Sequence, residues 1–474
     1  MTVARQVAWN TIAQTLARAA VLGLAVVTTG LLTRYLGVAG YGDYIVVSVY
    51  ILFFAALFDW GIPTMLAREI PRVERADDLV AQALGLRLAL AVPVTLLAAG
   101  IAFLVYGGAD EDRVRKGILL ALPTILAISV SNTFIAVFQA RLKMDRVAAA
   151  EIVAQATGAG LLVVLVLTEQ SFYELVLATV LGSVLFAMLV TLLVRRLVRT
   201  SLAFDLEVWG RLLRLSLPLG LAVVVGTIYF RADALLLSLL KQSEDVGIYG
   251  VAYRFYEMTV SFPTFFLAPV FPLLSAAAIS AAGLAEFTGL LQRSMDVLLT
   301  AAVLIVSLTL VLAPEMIHLV SGESFERSAL PLRILIVGSG LSFVNSLFIY
   351  ALVALDRQAK VLVITAVALV LNIALNLVFI PRFSYNAAAT IATGSQLVTL
   401  AAAVFLVWRY SGFSPSGRVP LRLAVAGVAV AGVLLLLPLP LGASLVLGTG
   451  LYAVMLLLLR VDRELQLREL LRRA

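Results

Sequence analysis

Residues Leu215 to Ala276 read LSLPLGLAVVVGTIYFRADALLLSLLKQSEDVGIYGVAYRFYEMTVSFPTFFLAPVFPLLSA. Two long apolar segments flank the polar turn Lys241-Gln242-Ser243-Glu244-Asp245. Each is long enough to cross a bilayer, which takes about 20 apolar residues. Each also carries charge inside it: Arg231 and Asp233 in the first, Arg254 and Glu257 in the second. Arg231 lies about 12 residues before the middle of the turn and Arg254 about 11 after it, so antiparallel helices rising about 1.5 Å per residue put both arginines at nearly one depth. Charge at membrane depth is costly and faces a bundle interior or a watery cavity. The hairpin therefore reads as one wall of a polar cavity in a transport protein.

The whole chain follows the same pattern. It has 474 residues, of which 62% are hydrophobic and 13% charged, and a mean hydropathy of +1.06. Apolar runs recur along its length, and no series of short alternating strands suggests a barrel. The expected fold class is all-α and polytopic. Fourteen spans are expected near 9–34, 41–64, 79–106, 117–140, 147–168, 172–194, 213–240, 246–274, 294–318, 329–355, 360–380, 386–409, 420–438 and 441–459. No cysteine is present and His318 is the single histidine, so neither a disulfide framework nor a histidine cluster can form. The first apolar run lacks a small-residue cleavage site and reads as the first span rather than a signal peptide. The net charge of +7 reflects loop composition rather than nucleic acid as a partner. With the N-terminus inside, 23 of the 35 Lys and Arg fall in inner segments and 7 in outer loops, which favours both termini cytoplasmic. The outer loop from Asp110 to Lys116 is the main exception.

The halves resemble each other. Gly42-x-Tyr44 and Gly247-x-Tyr249 match at an offset of 205, and Asn132 and Asn345 at 213. Six spans per copy gives parallel repeats, with a cavity expected between two six-helix lobes. The expected divisions are 1–200, then 201–412, then 413–474 for spans 13 and 14 with a basic tail from Arg460 to Arg473. Within the linker from Arg195 to Arg214, residues Val208 to Leu215 read as an interfacial helix opening the second lobe.

Several polar residues lie inside the spans. Thr11, Gln14, Thr15 and Arg18 share a face of span 1. Arg18 either faces a cavity and meets Asp59 at one depth, or snorkels to the inner headgroups. Arg87 snorkels, makes a structural pair or takes a substrate role. Arg231 with Asp233 and Arg254 with Glu257 either brace spans 7 and 8 or present arginine forks to an anionic substrate, a geometry suited to phosphate oxygens. Asn345, Asn372, Asn376, Asn132 and Gln155 sit at matched depths and read as polar cavity or helix glue. Glu151 and Asp296 read as solvated or interfacial. Pro218, Pro263, Pro269 and Pro272 permit bends in spans 7 and 8. No GxxxxGK[ST] loop and no large outer loop bearing catalytic side chains is present, which argues against an ATPase, polymerase or ligase.

Two stretches carry a family resemblance. LTRYLGVAGYGDY (Leu32 to Tyr44) with FDWGIPTMLAREI (Phe58 to Ile70) is one, and IYFRADALLLSLLKQSEDVGIYGVAYRFYE (Ile228 to Glu257) is the other. Both resemble the Wzx-type polysaccharide flippases of the multidrug/oligosaccharidyl-lipid/polysaccharide exporter superfamily. The resemblance implies alternating access and movement of a polyprenyl-pyrophosphate-linked oligosaccharide from the inner to the outer leaflet of the plasma membrane. It implies head-group contacts at Arg231, Arg254 and Arg18. No cofactor is expected beyond a coupling ion, Na+ or H+, with Asp233, Glu257 and Asp59 as its carriers. Partners are the lipid-linked oligosaccharide, membrane lipids and other polysaccharide-assembly proteins. The alternatives are a drug or cation antiporter of the same superfamily, a membrane glycan polymerase or ligase, and a lipid-only scramblase.

Overall fold

Gly37 and Ser384 decide how the apolar runs divide into spans. In the computed structural model the described residues are 3–57, 59–108, 111–279 and 283–461. The side chains of Thr11 and Thr15, and the basic tail from residue 462 onward, lie outside them. Among the described residues, twelve helices are long and apolar enough to cross a membrane. Two are of double length: α1 (Val3–Leu57) and α13 (Gln358–Ser411). The first turns at Gly37 (φ 68°) and the second at Ser384 (φ 51°). Glycine enters the left-handed region at little cost, whereas a serine held there is strained. Dividing both helices at these points yields fourteen spans, with turns where the hydropathy pattern places them.

The remaining helices are α2 (Ile62–Glu69), α3 (Ala76–Val105), α4 (Asp112–Ala121), α5 (Pro123–Ala140), α6 (Met144–Leu167), α7 (Phe172–Val194), α8 (Leu206–Leu240), α9 (Ser243–Val260), α10 (Phe262–Ile279), α11 (Gly283–Ser321), α12 (Ala329–Ala354), α14 (Arg418–Leu436) and α15 (Leu441–Leu458). Every regular element among the described residues is helical. Three spans are interrupted where hydropathy runs on unbroken. Span 2 unwinds after Leu57 and resumes as α2; span 4 breaks at Leu122 before Pro123; span 8 breaks at Ser261, two residues before Pro263. Proline cannot donate to the preceding turn, so its ladder bond is lost in each proline case.

The chain forms two compact units, Met1–Gly247 and Ile248–Ala474. In the first, α5 packs on α2, α3 and α7, and α1 packs on α4, α6 and α8. Its core gathers Ile62, Leu66, Phe134, Phe138, Val190 and Leu212. In the second, α12 packs between α11 and α13 around Leu267, Phe287, Phe343, Phe348 and Val407. Helices α14 and α15 pack on α11 through Leu423, Val430 and Tyr452. The repeat is visible in element order: α6 and α7 recur as the two parts of α13, about 213 residues on.

One expectation needs correction. Residues 208–215 are the opening turns of the single 35-residue helix α8, not a separate interfacial helix. Asp205 caps that helix, accepting from the backbone N–H of Glu207 (2.9 Å) and Val208 (3.2 Å), a contribution of about 1 kcal/mol. Trp209 packs against the first unit's core beside Leu212.

Candidate substrate and coupling site

The break in span 2 is built by Asp59-Trp60-Gly61. Trp60 has φ 46° and Gly61 has φ 70°, so two successive residues are left-handed. Ile62 then opens α2, with Pro63 in its first turn, where a missing N–H costs nothing. The turn is clamped from outside by α8: a Cβ on Gly220 would lie 2.3 Å from the Trp60 carbonyl oxygen. Strained backbone of this kind persists only where its surroundings hold it.

Unwinding turns the Asp59 carboxylate toward α3 and α5. One oxygen meets Arg87 Nη1 at 3.6 Å, and the other accepts from Asn132 Nδ2 at 3.2 Å. Arg87 Nε donates to Ser129 Oγ at 3.4 Å, and Nη1 reaches the Asp59 carbonyl at 3.5 Å. The Arg87 side chain is 1% exposed and that of Asp59 19%. A guanidinium so deeply buried requires such a partner, because an uncompensated charge there is costly. Arg87 is thus in a structural pair and does not snorkel. Asp59 is taken up by Arg87 and Asn132, not by Arg18. The Arg18 side chain is exposed on α1 and acts electrostatically on Glu151 of α6. Gln155, one turn beyond Glu151, is exposed and does not pair with Asn132.

The two arginine–acid pairs differ from each other. On α9, Arg254 Nη1 bonds Glu257 at 3.2 Å, three residues along the same face, with side chains 42% and 22% exposed. On α8, Arg231 is half-buried and Asp233 is buried, accepting from the Ala234 N–H at 2.8 Å. The second unit adds a polar layer without charge. Asn345 donates to Gln396 (3.3 Å) and Thr399 (3.1 Å), and Gln396 donates to the Tyr256 hydroxyl (3.3 Å). Asn376 donates to Asn372 (2.9 Å), which donates to Ser395 (3.2 Å). So Asn345 reaches across to the second part of α13 rather than to Asn372. Asp296, expected at a wetted end, is 4% exposed and accepts from Gln292 at 2.9 Å, and Gln292 in turn accepts from the backbone N–H of Ser416 ahead of α14 at 2.9 Å. Among the described residues no group of three or more His, Asp or Glu comes together to hold a metal ion.

Reading the sequence alone missed the Asp59–Arg87 pair and the strained turn. The turn had a signal, since Asp, Gly and Pro within five residues mark a break even inside an apolar run. The pair had none, because 28 residues separate its members and the packing of both α2 and α3 on α5 brings them together.

Residues 4–278, more than half the chain, match the family described as polysaccharide biosynthesis protein. The chain belongs to that family. A second family, MatE, matches residues 218–378, from within α8 to within α13. No curated protein matches the chain. Among solved structures it is similar to the lipid II flippase MurJ in an inward closed conformation, with 13% identity, a TM-score of 0.81, and coverage of 96% of this chain and 99% of that one. It is also similar to an inward-facing multidrug resistance MATE transporter of the MOP superfamily, at 17% identity and a TM-score of 0.68, covering 85% and 98% of the two chains. A MOP superfamily transporter from Pyrococcus furiosus gives 16% identity and a TM-score of 0.62, with 86% and 94% covered. These likenesses show a shared fold. The family match and the apolar helices make this chain a multi-pass membrane protein of the polysaccharide biosynthesis family, the setting that the Wzx-type motifs imply.

Proposed function

We propose that this transporter is a flippase for a polyprenyl-pyrophosphate-linked oligosaccharide, moving it from the cytoplasmic to the outer leaflet of the plasma membrane by alternating access. The observation that carries the reading is Arg254: an arginine inside a span, 42% exposed and paired with a carboxylate on its own helix. A pair of that kind is exchangeable. A pyrophosphate brings more charge than Glu257 and accepts bidentately, so it displaces the carboxylate at modest cost. The family match supports glycan export as the setting, and the fold likeness to a lipid flippase supports a lipid-linked cargo.

Arg231 and Arg18 are the further head-group contacts in this reading, and Asp233, Glu257 and Asp59 the candidate carriers of a coupling ion. In this reading both termini are cytoplasmic by charge bias, the side on which a basic tail meets anionic lipid or an assembly partner. Replacing Arg231 and Arg254 together by Ala tests the assignment. Glycan export at normal expression should fall by at least about ten-fold, a loss of about 1.4 kcal/mol of binding or transition-state stabilisation. Export that persists at wild-type level removes these residues from the site. Collapse of the ion gradient should likewise stop export if a carboxylate carries the coupling ion.

A drug or cation antiporter is the second reading, favoured by the MatE match. It assigns the span carboxylates, rather than the arginines, to the cargo.

A further inference from the structure

Between α7 and α8, residues 199–205 have no regular structure, yet they are tied to α3 at three places. The Arg199 N–H donates to Asp77 Oδ1 at 3.3 Å, the Ala203 N–H to the Ala81 carbonyl at 3.3 Å, and the Asp205 N–H to Gln82 Oε1 at 3.2 Å. A Cβ on Gly85 would fall 2.2 Å from the Ala203 carbonyl oxygen, so this strap lies on α3 where that helix has no side chain. The apolar residues that alternate with the tied ones are left uncovered: Leu202 is 51% exposed, Phe204 68% and Leu206 82%. Asp205 is extended, with φ −132° and ψ 109°, and alternate residues of an extended chain share one side. The Phe204 ring rests against that of Trp209, 5.7 Å between centroids.

Three large apolar side chains exposed together mark a surface that something covers. Its rim is basic. Residues 195–214 hold five arginines and two acids. Arg195, Arg196, Arg199 and Arg214 are exposed, and Arg211 pairs with Glu207 at 3.6 Å. Depth decides between a lipid and a soluble protein as the cover. The strap touches α3 at Ala81, about 24 residues before that helix ends at Val105, which is about 36 Å at 1.5 Å per residue. That is beyond a hydrocarbon core of about 30 Å and within the roughly 40–45 Å that includes the headgroups. A soluble protein would have to enter the headgroup layer to reach it.

We propose that Leu202, Phe204 and Leu206 form an interfacial anchor that inserts beneath the headgroups of anionic phospholipid, with Arg195, Arg196, Arg199 and Arg214 on the phosphates. Apolar side chains below and arginines at headgroup level are the pattern by which a segment lies in the plane of the interface. The Lys and Arg bias puts this end of the chain on the cytoplasmic side, where the leaflet is negative. The interfacial role expected of residues 208–215 thus falls to the strap just before them, in extended rather than helical form. The cargo plays no part in this contact.

The chain contains no cysteine, so a single introduced thiol carries a nitroxide without background. Leu206→Cys in the full chain is labelled and placed in nanodiscs of phosphatidylcholine and phosphatidylglycerol in equal parts. The nitroxide should collide with oxygen, which concentrates in the bilayer, several-fold more often than with a water-soluble nickel chelate. Discs of phosphatidylcholine alone should lower that ratio at least two-fold. So should Arg195→Gln, Arg196→Gln and Arg199→Gln together in the anionic discs. Leu202→Cys is the second reporter if Leu206→Cys disturbs the start of α8, and the change of lipid needs no arginine variant. A nitroxide that meets mainly nickel in the anionic discs would overturn the proposal and give the surface to a soluble partner. A ratio that is the same in both lipids would overturn it too, because the arginines would then read no anionic headgroup. Neither result depends on the identity of the cargo, since no oligosaccharide is present.

Discussion

Arg87 and Arg333 both solve the problem of keeping charge or a bare carbonyl inside a span, by different means. Arg87, 1% exposed, is satisfied by Asp59 at 3.6 Å. Removing one partner leaves the other as an uncompensated buried charge, so Arg87→Gln should destabilise by about 3–5 kcal/mol, while the apolar double replacement Asp59→Leu with Arg87→Met should recover much of that loss. Thermal unfolding of the purified variants in one detergent checks both; equal losses in the single and double variants would contradict the pairing. Arg333 acts on backbone. Pro314 sits inside α11 and cannot donate to the Leu310 carbonyl one turn earlier, and Arg333 Nε donates to that oxygen at 2.9 Å. Arg333→Leu should cost about 1 kcal/mol. Adding Pro314→Ala, which supplies the missing N–H, should restore stability. Additive effects in the double-mutant cycle would show that Arg333 does not serve this carbonyl.

At the scale of the element, the informative places are the breaks. Hydropathy averages over a window and does not register the sign of φ, so it carried span 2 through to residue 64. The helix in fact ends at Leu57, and Asp59, Trp60 and Gly61 form a strained turn before α2. By contrast the joins at Gly37 and Ser384 were legible, because polar or small residues interrupt the apolar run there. Asp205 as a cap was readable from residue type, whereas the continuity of α8 through Trp209 was not, since Trp and Arg are equally at home at a headgroup and on a packed helix. The span-2 turn depends on α8 leaving room for it. Gly220→Ala forces a Cβ into the Trp60 carbonyl and should cost about 1–3 kcal/mol by overpacking. The lowered unfolding temperature should be accompanied by faster proteolysis near residue 60. A variant as stable as the parent would mean that α8 does not clamp the turn.

For the whole molecule, class and family followed from features that survive averaging: fourteen apolar runs, a biased distribution of basic residues, and motifs around Asp59, Arg231 and Arg254. The candidate site was less legible. The arginines and acids could be picked out as charges inside spans, and Arg254 with Glu257 is the i,i+3 pair the sequence predicts, but Asp59 went to Arg87, a partner that only packing decides. The resulting division of labour is the account's central claim. The buried pair holds the broken helix, and in the proposed function the half-exposed pair on α9 is the one that meets the head group of a lipid-linked cargo. The most direct measurement is flipping of a fluorescent polyprenyl-pyrophosphate oligosaccharide in proteoliposomes, beside uptake of a cationic dye by the same vesicles. The account predicts glycolipid movement without dye movement, lost when Arg231 and Arg254 are both replaced by Ala. Dye uptake with no glycolipid movement would contradict it and assign the cargo to the carboxylates.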